Sequence, residues 1–461
     1  MALESYNPTT GELVERFDEH SDEEVDRRLS LAEAAFRSHR RTPFPDRQGL
    51  AESLAATLEA RADDLAATMT NEMGKPLSQA KAEVAKCARA LRFYAANAES
   101  MLRETPTDAS AVGAGRAYTR WEPLGPVLAV MPWNFPLWQV IRFAAPAVMA
   151  GNVCLVKHAS NVSRTALALE AAFAEAGFPP GVFQVLLIGS KRVEAVLRDP
   201  RVAAVTLTGS TPAGAAVASV AGAVIKPAVL ELGGSDPFIV MASADLDRAA
   251  DVAVASRCQN NGQSCIAAKR FIVHRDVLAD FTERFVARMK SLVVGDPMKD
   301  GTDVGPLATA QVLADVEDYV ADAVSKGARV LLGGKRPLDP GWFYAPTVLE
   351  GVTKEAKMFA EEVFGPVAQV HCADDIDQAA ALANATPFGL GSNVWTADPA
   401  EAEYLIGELR AGSVFVNGMT ASYPQLPFGG VKSSGFGREL AAVGPQEFCN
   451  LKTVWVGETG S

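Results

Sequence analysis

A single thiol raises the first chemical question. Cys265 sits in NNGQSCIAAKR, residues 260–270, between a Gly-Gln-Ser turn and a run of small residues. A nucleophilic cysteine needs thiolate character and access, whereas a packed one is inert. No histidine neighbours Cys265 in the sequence, so a protease-like cysteine–histidine pair is not signalled. Glu231 lies in LELGGSDPF, among apolar residues and just before a Gly-Gly pair. A carboxylate so placed has a raised pKa and serves as a base, or else it caps a helix or joins an ion pair. In MPWNFPLWQVIRF, residues 131–143, Pro136 suits a first helical position, and Asn134, Trp138 and Arg142 follow at intervals of four. That spacing aligns an amide donor, an aromatic ring and a cation on one face. The competing reading is a capping Asn, a core Trp and an Arg paired with an internal carboxylate. In TGSTPAG, residues 208–214, Gly209 and Gly214 allow backbone amides to approach a pyrophosphate at a helix N-terminus, or they form an ordinary strand-to-helix turn. EEVFGPV, residues 361–367, is a turn carrying two acids and an aromatic ring.

These side chains need a frame. Residues 22–103 predict helices, opened by the acidic turn Asp22-Glu23-Glu24. RAYTRWEP, residues 116–123, alternates like a hairpin arm. Short β-branched runs then alternate with helical segments: VLAVMP (127–132), NVCLVKH (152–158), FQVLLIG (183–189) and VAAVTLTGS (202–210). That rhythm predicts βαβ units and a parallel sheet. A second α/β run starts after a boundary near Leu230–Gly234 and includes PFIVM, KRFIVH, ARVLLGG, PVAQVHC, GSNVWT and GSVFVNG. The terminal NLKTVWVG reads as a lone strand, pairing with residues around 110–124 or with another subunit.

Composition limits the function classes. With 461 residues the chain has material for two or three domains. Its net charge of −12, from 43 basic and 55 acidic residues, disfavours nucleic acid as a partner. The most apolar stretch, 137–150, carries Arg142 and Pro146 and is no membrane span, and the first twenty residues show no apolar signal region. Six cysteines without paired spacing fit a reducing cytosol, so a cytoplasmic protein is expected, with Cys87 and Cys154 as core thiols. Five histidines without metal-binding spacing signal no metal site.

Taken in order, PWNFP (132–136), LVKHAS (155–160), TGSTPAG (208–214), LELGG (230–234), GQSCIA (262–267), EEVFGP (361–366) and PFGGVKSSGFGRE (427–439) resemble the aldehyde dehydrogenase superfamily over nearly the whole chain. The length, the KHASN stretch and Arg142 are similar to the short bacterial succinate-semialdehyde dehydrogenases. The resemblance implies an α/β fold with a Rossmann-like cofactor domain (1–107 and 126–230), an α/β catalytic domain (231–425) and a small β oligomerisation arm (108–125 and 440–461). It implies a homodimer or homotetramer. It makes Cys265 the nucleophile, Asn134 and the Cys265 amide the oxyanion hole, and Glu231 the base that activates water. Lys157 and Ser160 would hold the adenosine ribose. Trp133, Gly209 and Ser210 would contact the pyrophosphate region, Gly214 would let its helix pack, and Glu362 and Phe364 would position the nicotinamide ribose and ring. The thiolate would be favoured by burial beside a cationic nicotinamide and by backbone dipoles.

Two positions bear on specificity. A glutamate three residues after the lysine of LVK would repel a 2′-phosphate; here Ser160 stands there, which implies NADP in preference to NAD, while still accommodating NAD. Arg142, on an otherwise apolar helix, is expected to clamp a substrate carboxylate unless an internal carboxylate is committed to it, with Trp138 walling the methylenes. Related semialdehyde dehydrogenases carry a second arginine six residues before the nucleophile; this chain has Gln259, and Ser422 is the expected substitute donor. The substrate expectation is therefore a small aldehyde with a terminal carboxylate, succinate semialdehyde first. The alternatives are a broad-specificity or other semialdehyde dehydrogenase, an acylating member that uses coenzyme A, and a non-catalytic binding protein. Coenzyme A chemistry needs no base at Glu231, and a binding protein has no use for Cys265, Glu231 and Asn134 together.

Overall fold

The fold, taken from a computed structural model, is described for residues 3–458, so the domain limits 1 and 461 lie outside the described residues. Four helices lead: α1 (Asp22–His39), α2 (Phe44–Ala60), α3 (Ala62–Met73) and α4 (Leu77–Met101). Ser21 caps α1 by accepting the Glu24 amide, and the acidic first turn faces the positive end of the helix dipole. The helical pattern of residues 50–69 is broken at Arg61, where the backbone leaves helical geometry between α2 and α3. Two short strands precede α1, Leu3–Tyr6 and Leu13–Phe17, and the polar N-terminal sequence gave no periodic signal for them.

A six-stranded sheet runs in the order 435–436, 228–231, 204–208, 126–131, 153–158, 183–185. All neighbours are parallel except the antiparallel first pair. Its strands are buried on both faces, which is why they read as unbroken apolar runs. The chain leaves this sheet at Glu231 and begins a seven-stranded sheet at Asp236, in the order 329–332, 347–350, 367–373, 268–274, 236–240, 393–395, 415–416. The crossing thus falls in the Leu230–Gly234 region, although the strand at 435–436 returns late in the chain to the first sheet. Cys449–Val456 pairs along its length with Arg116–Pro123, and Thr105–Thr107 completes this three-stranded antiparallel arm.

The helix α5 (Trp138–Ala150) is buried throughout and starts two residues after Pro136, which lies in the turn before it. The PWN segment, Lys157, Gly209 and Glu231 all lie at the carboxyl ends of parallel strands, where open α/β sheets bind ligands.

Candidate active site

The site begins with how α5 is held. Glu83 of α4 accepts the Leu137 and Trp138 amides, each at 2.9 Å, and so caps α5 from another helix. A carboxylate there faces unpaired donors and the positive end of the dipole. Glu83 is in turn ion-paired to Lys75, both buried, and the Lys75 ammonium lies 4.0 Å from the centre of the Phe135 ring. From the other side, the Asn260 side chain donates to the Asn134 carbonyl at 2.7 Å and to the Gln263 carbonyl at 3.0 Å. Asn134 donates its own amide to the Gln263 carbonyl at 3.2 Å, two residues before the cysteine. An amide carries two N–H donors, so one is left for a ligand. Its buried Oδ1 has no partner among the described residues.

The nucleophile loop is wound tightly. Asn260 and Asn261 adopt left-handed backbone angles, φ 54° and 59°, which asparagine tolerates better than most residues. Asn261 donates to the Gly74 and Pro306 carbonyls, both at 2.8 Å. The buried Lys269 donates to the carbonyls of Ser264 (3.0 Å), Cys265 (2.9 Å) and Ala267 (3.1 Å). Cys87, Cys154 and Cys258 are buried, but Cys265 keeps partial exposure. The protein's own groups favour the neutral thiol. Burial pushes it up to about 12, Glu362 adds to the rise, and Arg142 and Lys269 oppose it. Desolvation penalises the anion unless a positive charge is brought in.

Glu231 ends its strand fully desolvated, and neither carboxylate oxygen has a hydrogen-bond partner among the described residues. Burial raises its pKa well above the ordinary carboxylate value, with Arg142 opposing and Glu439 reinforcing the shift. Glu231 faces Gly429, where an added Cβ would lie 2.7 Å from Oε1. Here the expectation for Arg142 is corrected. An internal carboxylate is committed to it: the buried Arg142 guanidinium is ion-paired to the buried Glu439. It also donates to the Thr208 hydroxyl at 3.2 Å and lies 4.7 Å from the centre of the Phe428 ring. The pairing answers the cost of burying a guanidinium, and with the Thr208 bond it engages Nε and one terminal nitrogen of Arg142, while the other terminal nitrogen has no hydrogen bond among the described residues. The partner stands 297 positions away in sequence, where spacing on one helix gives no hint of it.

Arg142, Trp138, Ser422, Gln259 and Cys265 nevertheless line one cavity of about 50 Å³. Glu231 and Asn134 are not in its wall. The cavity shares Lys86, Phe135, Gln259 and Met419 with a wider vestibule of about 560 Å³. Ser422 accepts the Trp138 indole N–H at 3.0 Å and the Lys86 ammonium at 2.8 Å.

The residues expected to hold a nicotinamide dinucleotide fit one. Ser210 caps the Thr211–Ala223 helix by accepting the Ala213 amide at 3.4 Å. An added Cβ at Gly214 would lie 2.5 Å from Leu232, so glycine is what brings this helix against the neighbouring strand end. Lys157 is half-buried with no hydrogen bond or ion pair among the described residues, and burial lowers its pKa. Ser160 is exposed nearby. Trp133 and Phe364 meet edge to face, centroids 5.6 Å apart. Glu362 takes the Gly234 amide at 3.2 Å and approaches Lys269 at 3.3 Å. Lys269, Glu83, Lys75 and Asn260 escaped the sequence reading, because each acts through contacts that no local pattern encodes. The Asn-Asn-Gly triplet was a turn signal that could have flagged Asn260. Among the described residues no group of three or more His, Cys, Asp or Glu side chains could hold a metal ion, and no helix is long and apolar enough to cross a membrane.

Comparison with known proteins is consistent with this geometry. Residues 1–454 match the aldehyde dehydrogenase family. The chain is 59% identical over 456 residues to the NADP(+) succinate-semialdehyde dehydrogenase 1 of Mycobacterium tuberculosis, covering 99% of this chain and 100% of that one. It is 58% identical, over 99% of this chain and 100% of the relative, to the corresponding NADP(+) enzyme of Mycobacterium leprae. In structure it is similar to the succinic semialdehyde dehydrogenase of Streptococcus pyogenes in complex with NADP+, with a TM-score of 0.96, 35% identity and coverage of 99% of this chain and 100% of that one. Carrying the family's motifs in order on this fold, the chain belongs to the aldehyde dehydrogenase family.

Proposed function

We propose that this protein oxidises succinate semialdehyde to succinate with NADP as the hydride acceptor, through a thioester on Cys265. The observation that carries the hydrolytic chemistry is Glu231, desolvated and without a hydrogen-bond partner on either oxygen among the described residues. A carboxyl in that state is not spent on a structural ion pair, and once ionised it is a strong base for a water proton. The substrate and cofactor rest on likeness to the mycobacterial and streptococcal NADP enzymes, and on Lys157 and Ser160.

The Cys265 sulfur, once deprotonated, adds to the aldehyde carbon, and the carbonyl oxygen takes the negative charge. The free N–H of Asn134 and the Cys265 backbone amide stabilise that oxygen. Bound oxidised nicotinamide supplies the hydride acceptor, and its positive charge lowers the cost of the neighbouring thiolate. The carbon gives up hydride and becomes the acyl carbon of a thioester. Glu231 takes a proton from water; the hydroxyl adds to the acyl carbon, the carbon–sulfur bond breaks to return the Cys265 thiolate, and the carboxylate leaves. Lys157 would pair with the ribose 2′-phosphate, and Ser160 would donate to it without repelling it. The six cysteines, free of disulfides, suit a reducing cytoplasm. The β arm provides the contact of a homodimer or homotetramer.

Initial rates over a panel of aldehydes with each nicotinamide cofactor test this reading. The highest kcat/KM should belong to succinate semialdehyde with NADP, and Ser160→Glu should shift the preference toward NAD. A higher wild-type kcat/KM with NAD, or with an uncharged aldehyde, would overturn the corresponding half.

A further inference from the structure

Arg142 is paired with the buried Glu439, so a second cation on the cavity wall bears on how a carboxylate is recognised. Lys86 is that cation. It projects from α4 into the neck that the cavity and the vestibule share. Its ammonium is half-buried, 2.8 Å from the Ser422 hydroxyl and 4.1 Å from the centre of the Trp138 ring. No carboxylate pairs with it among the described residues. Glu83, three residues earlier on α4, is spent on Lys75 and on the α5 amides. Desolvation lowers the Lys86 pKa to about 8, with Arg142 contributing. An ammonium held out of water without a counter-ion gains more from an arriving anion than an exposed one does. The aromatic face and the serine oxygen hold it in place and leave N–H donors free. Arg89, exposed and without an ion pair among the described residues, lies one turn further along α4 on the wall of the vestibule, which Asp251 and Asp303 also line.

We infer that Lys86, steadied by Ser422 and Trp138, is the anchor for the terminal carboxylate of the substrate, at a site where Gln259 stands in place of a second arginine and Arg142 is paired with Glu439. This rests on the proposed ω-carboxylate aldehyde and adds the residue that reads it. Cys265 lines the cavity and Lys86 lines the neck by which it meets the vestibule, so a substrate with its aldehyde at the sulfur presents its far end toward the ammonium.

The test is the specificity ratio, kcat/KM for succinate semialdehyde over that for butanal, both with NADP. Lys86→Met keeps the length of the side chain and removes its charge. The ratio should fall by about tenfold or more, chiefly through KM for the semialdehyde, and Lys86→Arg should restore most of it. Arg142→Leu, which strands Glu439, should instead impair both substrates together. A Lys86→Met enzyme with an unchanged ratio, beside a wild type that prefers the semialdehyde, would overturn the anchor and leave the proposed function standing. A wild type that does not distinguish the two aldehydes would overturn both. A loss in Arg142→Leu confined to the semialdehyde, with Lys86→Met silent, would return the role to Arg142.

Discussion

At the scale of single residues, the site separates groups that react from groups that hold. Asn134 does both. Its carbonyl is tied by Asn260 and its side chain to Gln263, which leaves one N–H for the proposed oxyanion. Asn134→Ala should therefore lower kcat by about a hundredfold or more, since a preorganised oxyanion donor is worth that much. Stopped-flow and steady-state rates measure it, and a change confined to KM would contradict the role. Cys265, Glu231 and Asn134 were picked out in the sequence by the resemblance of seven motifs in order, since each motif alone left an inert or structural alternative open. The state of the thiol was not legible, because desolvation depends on the whole enclosure around it. Arg142 shows the same limit. Its helix face was readable, but its partner Glu439 lies in a distant segment brought near by the fold.

At the scale of elements, α4 is the member whose importance the sequence hid. Its helical periodicity was plain, and so were the strands of both sheets. Invisible was that one face of α4 caps α5 through Glu83 and lines the neck with Lys86. Sequence pattern reports that a residue faces inward, not which element it meets. Glu83→Gln removes the charge that Lys75 and the α5 N-terminus share. Breaking a buried pair in this way costs about 3–5 kcal/mol, because the remaining ammonium stays buried without compensation. The melting temperature should drop, and kcat should fall with it as the Asn134 segment loosens. Calorimetry together with rate measurements checks this. A variant with wild-type melting and rates would show that the cap is dispensable.

At the scale of the whole molecule, the β arm is the proposed subunit contact. Cys449–Val456 pairs with Arg116–Pro123 on one side and forms an edge of the three-stranded sheet on the other. Leu451 and Trp455 are 50% and 55% exposed, an apolar burden that a solvent-facing edge strand seldom carries. Trp455→Glu should shift the enzyme toward smaller species in light scattering at micromolar concentration. An unchanged mass would move the subunit contact elsewhere. The pairing partner of this strand was foreseeable only as a choice between its own chain and another, because an alternating pattern specifies a face and not a neighbour.

The central claim is a cysteine thioester hydrolysed with Glu231 as base. The most direct measurement is rapid-mixing formation of NADPH by Glu231→Gln with succinate semialdehyde, with Cys265→Ala as the control. Hydride transfer precedes the step that needs the base, so the account predicts a burst approaching one NADPH per active site, followed by turnover far slower than wild type, and no NADPH from the folded Cys265→Ala protein. Wild-type-like steady turnover in either variant would contradict it.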